Sequence, residues 1–184
     1  MIDPRSRSAV TVLGIGNPIM GDDGIGIVLL EELMAAGVER PVDFIDGGTI
    51  GMSLLPVLED AGSLLVLDAV TGSGPPGTLV HLVGDQLPRL MQSKLSPHQV
   101  GLLDVLAAAR LRGTEPDRIA VVGLTPGDID LRVTLSHDVA AAIPRAVGLA
   151  RQVLEAWWAE DDAGQTGRPA HMGGQACSGT SSST

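Results

Sequence analysis

Apolar residues along the chain follow two alternating patterns. Short runs of aliphatic residues, rich in Val, Ile and Leu, have the length and composition of buried strands. These runs lie at residues 9–15, 42–45, 63–70, 78–83 and 118–124. Between the first two runs, apolar residues recur every three or four positions, which predicts a helix over residues 22–36. Strands and helices are therefore expected to alternate.

Three further helices are predicted at residues 52–58, 96–112 and 136–160. The helix at 96–112 has the clearest start, because Ser96, Pro97 and Gln99 supply an N-cap, a first-turn proline and a capping box. Pro144 lies inside the last helix and is expected to kink or split it, since proline has no backbone N–H to donate.

This order of elements predicts an α/β fold, a three-layer α/β/α sandwich around a twisted, mostly parallel sheet of about five strands. The strand at 78–83 is expected at an antiparallel edge, because the loop before it is too short for a helical crossover. A length of 184 residues fits one domain, placed at 1–162. Residues 163–184 lack apolar periodicity and are predicted to form a disordered Gly/Ser/Thr-rich tail.

Composition and charge exclude several classes of function. A net charge of −10 argues against nucleic-acid binding, which needs a concentrated positive surface. The single cysteine, Cys177, excludes an intramolecular disulfide, a cysteine-rich zinc site and an iron–sulfur cluster. The chain has no signal-peptide pattern, and no apolar run approaches the roughly 18 residues of a membrane span. We expect a cytoplasmic protein without membrane insertion that acts as a monomer.

Aspartates are concentrated where the predicted strands end. These are Asp22 and Asp23 after the first strand, Asp46 at the end of the second and Asp68 near the end of the third. All four are expected at one edge of the sheet, where ligands bind in such folds. Asp68 stands in an apolar strand, and a charged group that loses hydration there needs a cation, a hydrogen-bond donor or a metal ion. The alternative is a structural carboxylate bonded to backbone amides.

The adjacent Asp22 and Asp23 suggest a division of roles at the start of the following helix. One carboxylate is expected to cap the free amides of the helix, and the other to project into the crevice at the sheet edge. Their spacing favours Asp22 as the cap and Asp23 as the residue in the crevice.

His98 differs from the other histidines because it lies in the first turn of a well-capped helix. The helix dipole opposes protonation there, so a neutral imidazole is expected that can bind metal or accept a proton. The alternative is a histidine that bonds its own helix terminus. Two carboxylates and one imidazole form a ligand set suited to nickel, zinc or manganese.

Other catalytic motifs are absent from the sequence. The chain has no His-Glu-x-x-His, Gly-x-Ser-x-Gly or Gly-x-x-x-x-Gly-Lys-Ser/Thr pattern, which argues against zinc-protease, serine-hydrolase and P-loop mechanisms. Gly14-x-Gly16 follows the first strand, but Ile19 stands where a dinucleotide-binding motif needs its third glycine.

Four ordered motifs, within residues 10–157, resemble those of the [NiFe]-hydrogenase maturation endopeptidases. They are Gly14-x-Gly16-Asn17 with Asp22-Asp23-Gly24-x-Gly26, Asp46-Gly47-Gly48-Thr49 with Gly51-Met52, Leu67-Asp68-Ala69, and Ser96-Pro97-His98-Gln99. The resemblance implies a cytoplasmic peptide hydrolase of aspartic or metal-dependent type. Its substrate would be the hydrogenase large-subunit precursor, whose C-terminal extension is removed after nickel insertion.

The resemblance also implies roles for individual residues. Asp23, Asp68 and His98 match the positions that contact metal, with Asp23 and Asp68 as the catalytic candidates. Some relatives carry Glu at the position of Asp23. The segment Asp46, Gly47, Gly48 and Thr49 matches one implicated in recognising the large subunit. The expected nickel is carried by the substrate, although another divalent metal could occupy the site.

The residues leave open two mechanisms and two other classes of function. Either a metal bound by the enzyme polarises the scissile carbonyl and activates water, or the three residues read nickel in the substrate while a carboxylate serves as base. The resemblance favours the second mechanism. The same ligand set would also serve a non-catalytic nickel chaperone or docking module. A nucleoside phosphorylase-like enzyme would need a basic phosphate-binding cluster, which is not found near the glycine loops.

Overall fold

The computed structural model describes residues 10–49, 51–71, 74–84 and 97–166. The strands are β1 (Thr11–Ile15), β2 (Asp43–Gly48), β3 (Ser63–Ala69), β4 (Leu79–Val83) and β5 (Arg118–Leu124). The α-helices are α1 (Ile25–Ala36), α2 (Leu55–Asp60), α3 (Pro97–Arg112) and α4 (His137–Thr166). Short 3-10 helices at Gly21–Gly24 and Met52–Leu54 precede α1 and α2.

The strands form one mixed sheet in the order β2-β1-β3-β5-β4. Neighbouring strands are parallel except for β4, which pairs antiparallel with β5 at one edge. The predicted α/β fold with a five-stranded mixed sheet is confirmed, as is the antiparallel edge strand.

Helices cover both faces of the sheet. On one face, Leu65 and Leu67 of β3 belong to a core cluster that includes residues of α1 and α4. On the other face, Leu64 and Val66 belong to a cluster with residues of α2 and α3. Successive side chains of a strand point to opposite faces, so a strand covered on both sides must be apolar throughout. This explains why β3 reads as a continuous aliphatic run.

The order of the strands reverses at β1, which lies between β2 and β3. The crevice expected at such a point opens beyond the carboxyl ends of β1 and β3. Gly14 pairs with Leu67 in the parallel register, so the residues that follow β1 and the residue Asp68 reach the same edge of the sheet. The topology thus brings together two segments that are about 50 residues apart.

The bounds of several elements differ from the sequence-based expectation. The helix predicted from Asp22 begins as the 3-10 helix Gly21–Gly24, and the α-helical part starts only at Ile25. The last helix passes through Pro144 without a split and ends at Thr166, four residues beyond the domain boundary predicted at 162. The remainder of the predicted tail, 167–184, and the predicted cap Ser96 lie outside the described residues. Among the helices described, none has the length and apolar character needed to cross a membrane.

Candidate active site

Asp23 lies in the 3-10 helix that connects β1 to α1. Its carbonyl oxygen accepts a hydrogen bond of 3.2 Å from the backbone N–H of Asn17. Gly16 has a φ of 143°, and a Cβ there would overlap the same carbonyl oxygen. A glycine is therefore required for the chain leaving β1 to approach the Asp23 turn. Asp23 itself is buried, with 6% of its surface exposed.

Gly26, in the first turn of α1, brings this segment against the sheet. A Cβ at Gly26 would overlap the carbonyl oxygens of Ile15 in β1 and Leu67 in β3. The start of α1 thus packs directly on the ends of both strands, with no room for a side chain between them. Since Leu67 immediately precedes Asp68, this packing holds the Asp23 turn at the edge where Asp68 lies.

Asp68 is the second-last residue of β3 and is 3% exposed. Its Oδ1 accepts a hydrogen bond of 2.7 Å from the backbone N–H of Ala69. By strand alternation it lies on the same face as Leu64 and Val66, which is the face covered by α2 and α3. Asp68 is therefore a buried carboxylate between the end of the sheet and the layer that contains α3.

His98 lies in the first turn of α3, as the sequence predicts. Three residues later, a Cβ on Gly101 would be 3.2 Å from the Cα of Gly51, so the beginning of α3 packs closely on the segment after β2. The side chain of His98 lies outside the described residues. Within the described part of the chain, no group of three His, Cys, Asp or Glu side chains is arranged to hold a metal ion. The proposed metal set of Asp23, Asp68 and His98 stays a prediction.

Residues 46–49 border the same edge at the end of β2. Asp46 Oδ1 accepts a hydrogen bond of 2.9 Å from the backbone N–H of Gly48, whose φ of 49° is in the left-handed region. The carbonyl oxygen of Gly48 in turn accepts a 2.9 Å bond from the N–H of Gly16. Asp46 and Thr49 are exposed, whereas Gly47 is buried against Leu13. This segment is thus fixed beside the chain that leads to Asp23.

Asp22 was predicted to cap the helix that follows it, and this prediction is wrong. Asp22 does not cap α1, which has no side-chain cap. Its fully buried carboxylate instead accepts four hydrogen bonds: from the backbone N–H groups of Gly127 (2.8 Å), Asp128 (3.1 Å) and Ser136 (2.6 Å), and from the hydroxyl of Ser136 (2.7 Å). Because Ser136 directly precedes α4, Asp22 ties the loop 126–136 and the start of α4 to the turn that carries Asp23.

The pKa of Asp22 lies below its ordinary value of 3.8. Burial acts in the opposite direction and by itself raises this pKa, but the hydrogen bonds from the backbone and hydroxyl of Ser136, and from the amides of Gly127 and Asp128, outweigh it. These donors stabilise the ionised carboxylate. Asp22 is therefore a buried anion that is held in place by hydrogen bonds.

We expect Asp22→Asn to destabilise the fold by about 2–4 kcal/mol at pH 7, because an amide cannot accept four hydrogen bonds and leaves buried donors unsatisfied. A lowered native pKa means that the contribution of Asp22 is fully present well above pH 3.8 and is lost as the pH falls through the native pKa. Urea unfolding should therefore show a nearly constant difference between wild type and variant from pH 7 down to pH 5, and a difference that narrows as the pH falls below 3.8.

A matched control is Asp128→Asn, which makes the same chemical change at an exposed carboxylate 3.7 Å from Arg132. Its effect on unfolding is expected to stay within about 0.5 kcal/mol. Equal stabilities for the two variants at pH 7 would contradict the structural role of Asp22.

A sequence profile of the hydrogenase maturation protease family matches residues 27–153, a range that includes Asp68 and His98. The chain is 40% identical over 160 residues to the hydrogenase expression/formation protein HupD of Rhodobacter capsulatus, covering 85% of this chain and 76% of that protein. It is 36% identical over 149 residues to the hydrogenase 2 maturation protease of Escherichia coli K12, covering 80% of this chain and 89% of that protein.

The fold is also similar to that of a solved structure. The hydrogenase maturating endopeptidase HybD from E. coli superposes with a TM-score of 0.74 at 35% sequence identity. The superposition covers 83% of this chain and 94% of that one. Both the sequence and the three-layer architecture are therefore shared over most of the described residues.

Proposed function

The chain belongs to the hydrogenase maturation protease family, and we propose that it is the endopeptidase that removes the C-terminal extension of a [NiFe]-hydrogenase large-subunit precursor after nickel insertion. One observation carries this proposal most directly. Two buried carboxylates, Asp23 in the turn after β1 and Asp68 near the end of β3, lie at the same edge of the sheet, beside the helix whose first turn contains His98.

Nickel in this reaction is part of the substrate. Asp23, Asp68 and His98 offer two oxygen ligands and one nitrogen ligand, a set that suits a borderline divalent cation. A precursor that carries nickel adds the attraction of a divalent cation to these buried carboxylates, and an unloaded precursor does not. The site thereby distinguishes the two forms and spares the precursor that has not yet received its metal.

Cleavage of the peptide bond requires a water molecule and a base to activate it. Asp23 or Asp68 serves as that base when it is not a metal ligand, since either carboxylate lies at the edge where the peptide would bind. The hydrogen bonds of Asp22 hold the turn that contains Asp23, so Asp22 acts as a positioning residue and not as a base. The enzyme is thus proposed to be an aspartic-type peptidase directed by the metal of its substrate.

Residues 46–49, at the end of β2, are proposed to recognise the large subunit. They lie at the same edge as Asp23, and Gly48 has no side chain that would keep an extended peptide away from the backbone, whereas Gly47 packs against Leu13. The exposed Asp46 and Thr49 offer oxygen atoms to that peptide.

The nickel-reading step is tested by removing metal from the enzyme and supplying it with nickel-loaded and nickel-free precursor in parallel. We expect cleavage of the loaded precursor only, detected by mass spectrometry as the loss of the C-terminal extension. Equal cleavage of both precursors would overturn nickel recognition. A loaded precursor that binds the protein but keeps its full mass would instead indicate a nickel chaperone or docking module.

A further inference from the structure

Four large aliphatic side chains are exposed close to the candidate active site. Leu131 and Val133 are 80% and 79% exposed, and Ile19 and Ile129 are about half exposed. We refer to these four residues as the apolar patch. Single exposed aliphatic residues are common on protein surfaces, but a contiguous group of this kind marks an interaction site.

Backbone pairing brings Ile19 beside Leu131 and Val133, and Ile129 belongs to the same loop as these two residues. Met20 and Arg132 form a parallel bridge, in which the N–H of Arg132 donates to the carbonyl of Ile19 (3.1 Å) and the N–H of Gly21 donates to the carbonyl of Arg132 (2.8 Å). Ile19 therefore lies beside the backbone of residues 131–133. The patch joins two segments that are more than 100 residues apart in sequence.

The outward direction of the patch contrasts with the position of Arg132. Its guanidinium is turned inward, with Nη2 3.9 Å from Asp22 Oδ1 and with its Nε and Nη2 atoms buried. The flanking Leu131 and Val133 are instead largely exposed, so their side chains point into solvent. The four hydrogen bonds of Asp22 fix this loop, so the exposure of the patch does not result from a loosely held segment.

The surroundings of the patch define what can bind there. Asp128 and Asp130 are exposed within the same loop, and the one basic residue of that loop, Arg132, is turned inward between Asp22 and Asp128, so the loop carries an excess of negative charge. A complementary surface is therefore apolar and bordered by basic side chains. The N–H of Asp23 donates to the carbonyl oxygen of Met20 (3.3 Å), the residue after Ile19, so a partner seated on the patch would lie next to the turn that carries Asp23.

We propose that the apolar patch is the docking surface for the large-subunit precursor, which binds it through an apolar segment flanked by Lys or Arg. This inference rests on the proposed function and adds to it the place and the chemistry of substrate docking. The patch would hold the folded body of the precursor while its C-terminal peptide lies at Asp23 and Asp68. Docking outside the reaction site affects substrate affinity and leaves the chemical step unchanged.

The test compares the double variant Leu131→Ser/Val133→Ser with wild type. We expect a rise of about tenfold to a hundredfold in the KM for nickel-loaded precursor, with kcat nearly unchanged, because burial of two aliphatic side chains is lost. The matched control is Leu111→Ser/Val83→Thr, which removes exposed aliphatic surface elsewhere and should leave KM at the wild-type value. Thermal unfolding of both variants should match wild type, since all four residues are exposed.

Direct binding separates the docking surface from the proposed activity. The dissociation constant for nickel-free precursor, measured by biolayer interferometry, should rise in the patch variant but not in the control, whether or not the precursor is cleaved. Asp130→Lys provides a second variant and should also weaken binding by repelling the basic flanks. Unchanged affinity in the patch variant and in Asp130→Lys would overturn the proposal. So would a wild-type dimer in sedimentation velocity that Leu131→Ser/Val133→Ser converts to monomer, because the patch would then bind a second copy of the chain.

Discussion

Asp68→Asn is expected to abolish processing of the nickel-loaded precursor while the protein remains folded. The substitution keeps the size of the side chain and removes its negative charge, which both metal contact and the activation of water require. Loss of a catalytic base lowers the rate by about 10²–10⁴-fold. His98→Ala should have an effect of similar size, because it removes the third proposed metal ligand. Cleavage is followed by mass spectrometry of the precursor, and folding by circular dichroism.

The control for Asp68→Asn is Asp60→Asn. Asp60 is an exposed aspartate at the end of α2, near the amino end of β3 and thus at the opposite edge of the sheet from Asp68. The same chemical change at this position should leave processing at the wild-type rate. If Asp68→Asn or His98→Ala processed the precursor as fast as wild type, the role assigned to that residue would be wrong.

Gly26→Ala is expected to lower the free energy of unfolding by about 3 kcal/mol or more, and to stop processing as well. The added methyl group overlaps the carbonyl oxygens of Ile15 and Leu67, which belong to the backbone of two central strands and cannot rotate aside. Relief of the overlap requires α1 to move away from the sheet, which would displace the turn carrying Asp23 from Asp68. Urea unfolding and the processing assay measure the two effects.

The matched substitution is Gly148→Ala in α4. No atom lies within 4 Å of the Cβ that it adds, and alanine is a better helix former than glycine by about 1 kcal/mol. This variant should be as stable as wild type or more stable, and fully active. A Gly26→Ala protein with wild-type stability and activity would show that the start of α1 does not need its close approach to the sheet.

Much of the fold was predictable because its pattern is local. Each strand is a short aliphatic run, and a strand with helices on both faces has few positions for polar side chains, as β3 illustrates. The short connection before Leu79 was enough to predict the antiparallel edge. The position of His98 in the first turn of α3 followed from the helix-start pattern around it. The start of α1 was less predictable, because its first turn adopts a 3-10 conformation.

The sequence was enough to predict which aspartates lie at the candidate site, but not what each of them does there. A buried aspartate in an apolar strand identified Asp68, and the motif pattern identified Asp23, both of which are buried at the same edge. The neighbouring Asp22 was predicted to cap its own helix, which was wrong. Its partners Gly127 and Ser136 lie 105 and 114 residues away, and neither spacing nor residue type relates them to Asp22.

The sequence by itself therefore determined which segments are strands and helices, which family motifs the chain carries, and which carboxylates belong to the carboxyl edge of the sheet. Only the tertiary structure decided that Asp22 accepts hydrogen bonds from the loop before α4, that position 26 must be a glycine, and that Ile19 joins Leu131 and Val133 in one patch. The physical reason is the separation along the chain over which each interaction acts. Periodicity and capping act between residues a few positions apart, whereas hydrogen bonds and packing across the sheet depend on how distant segments meet.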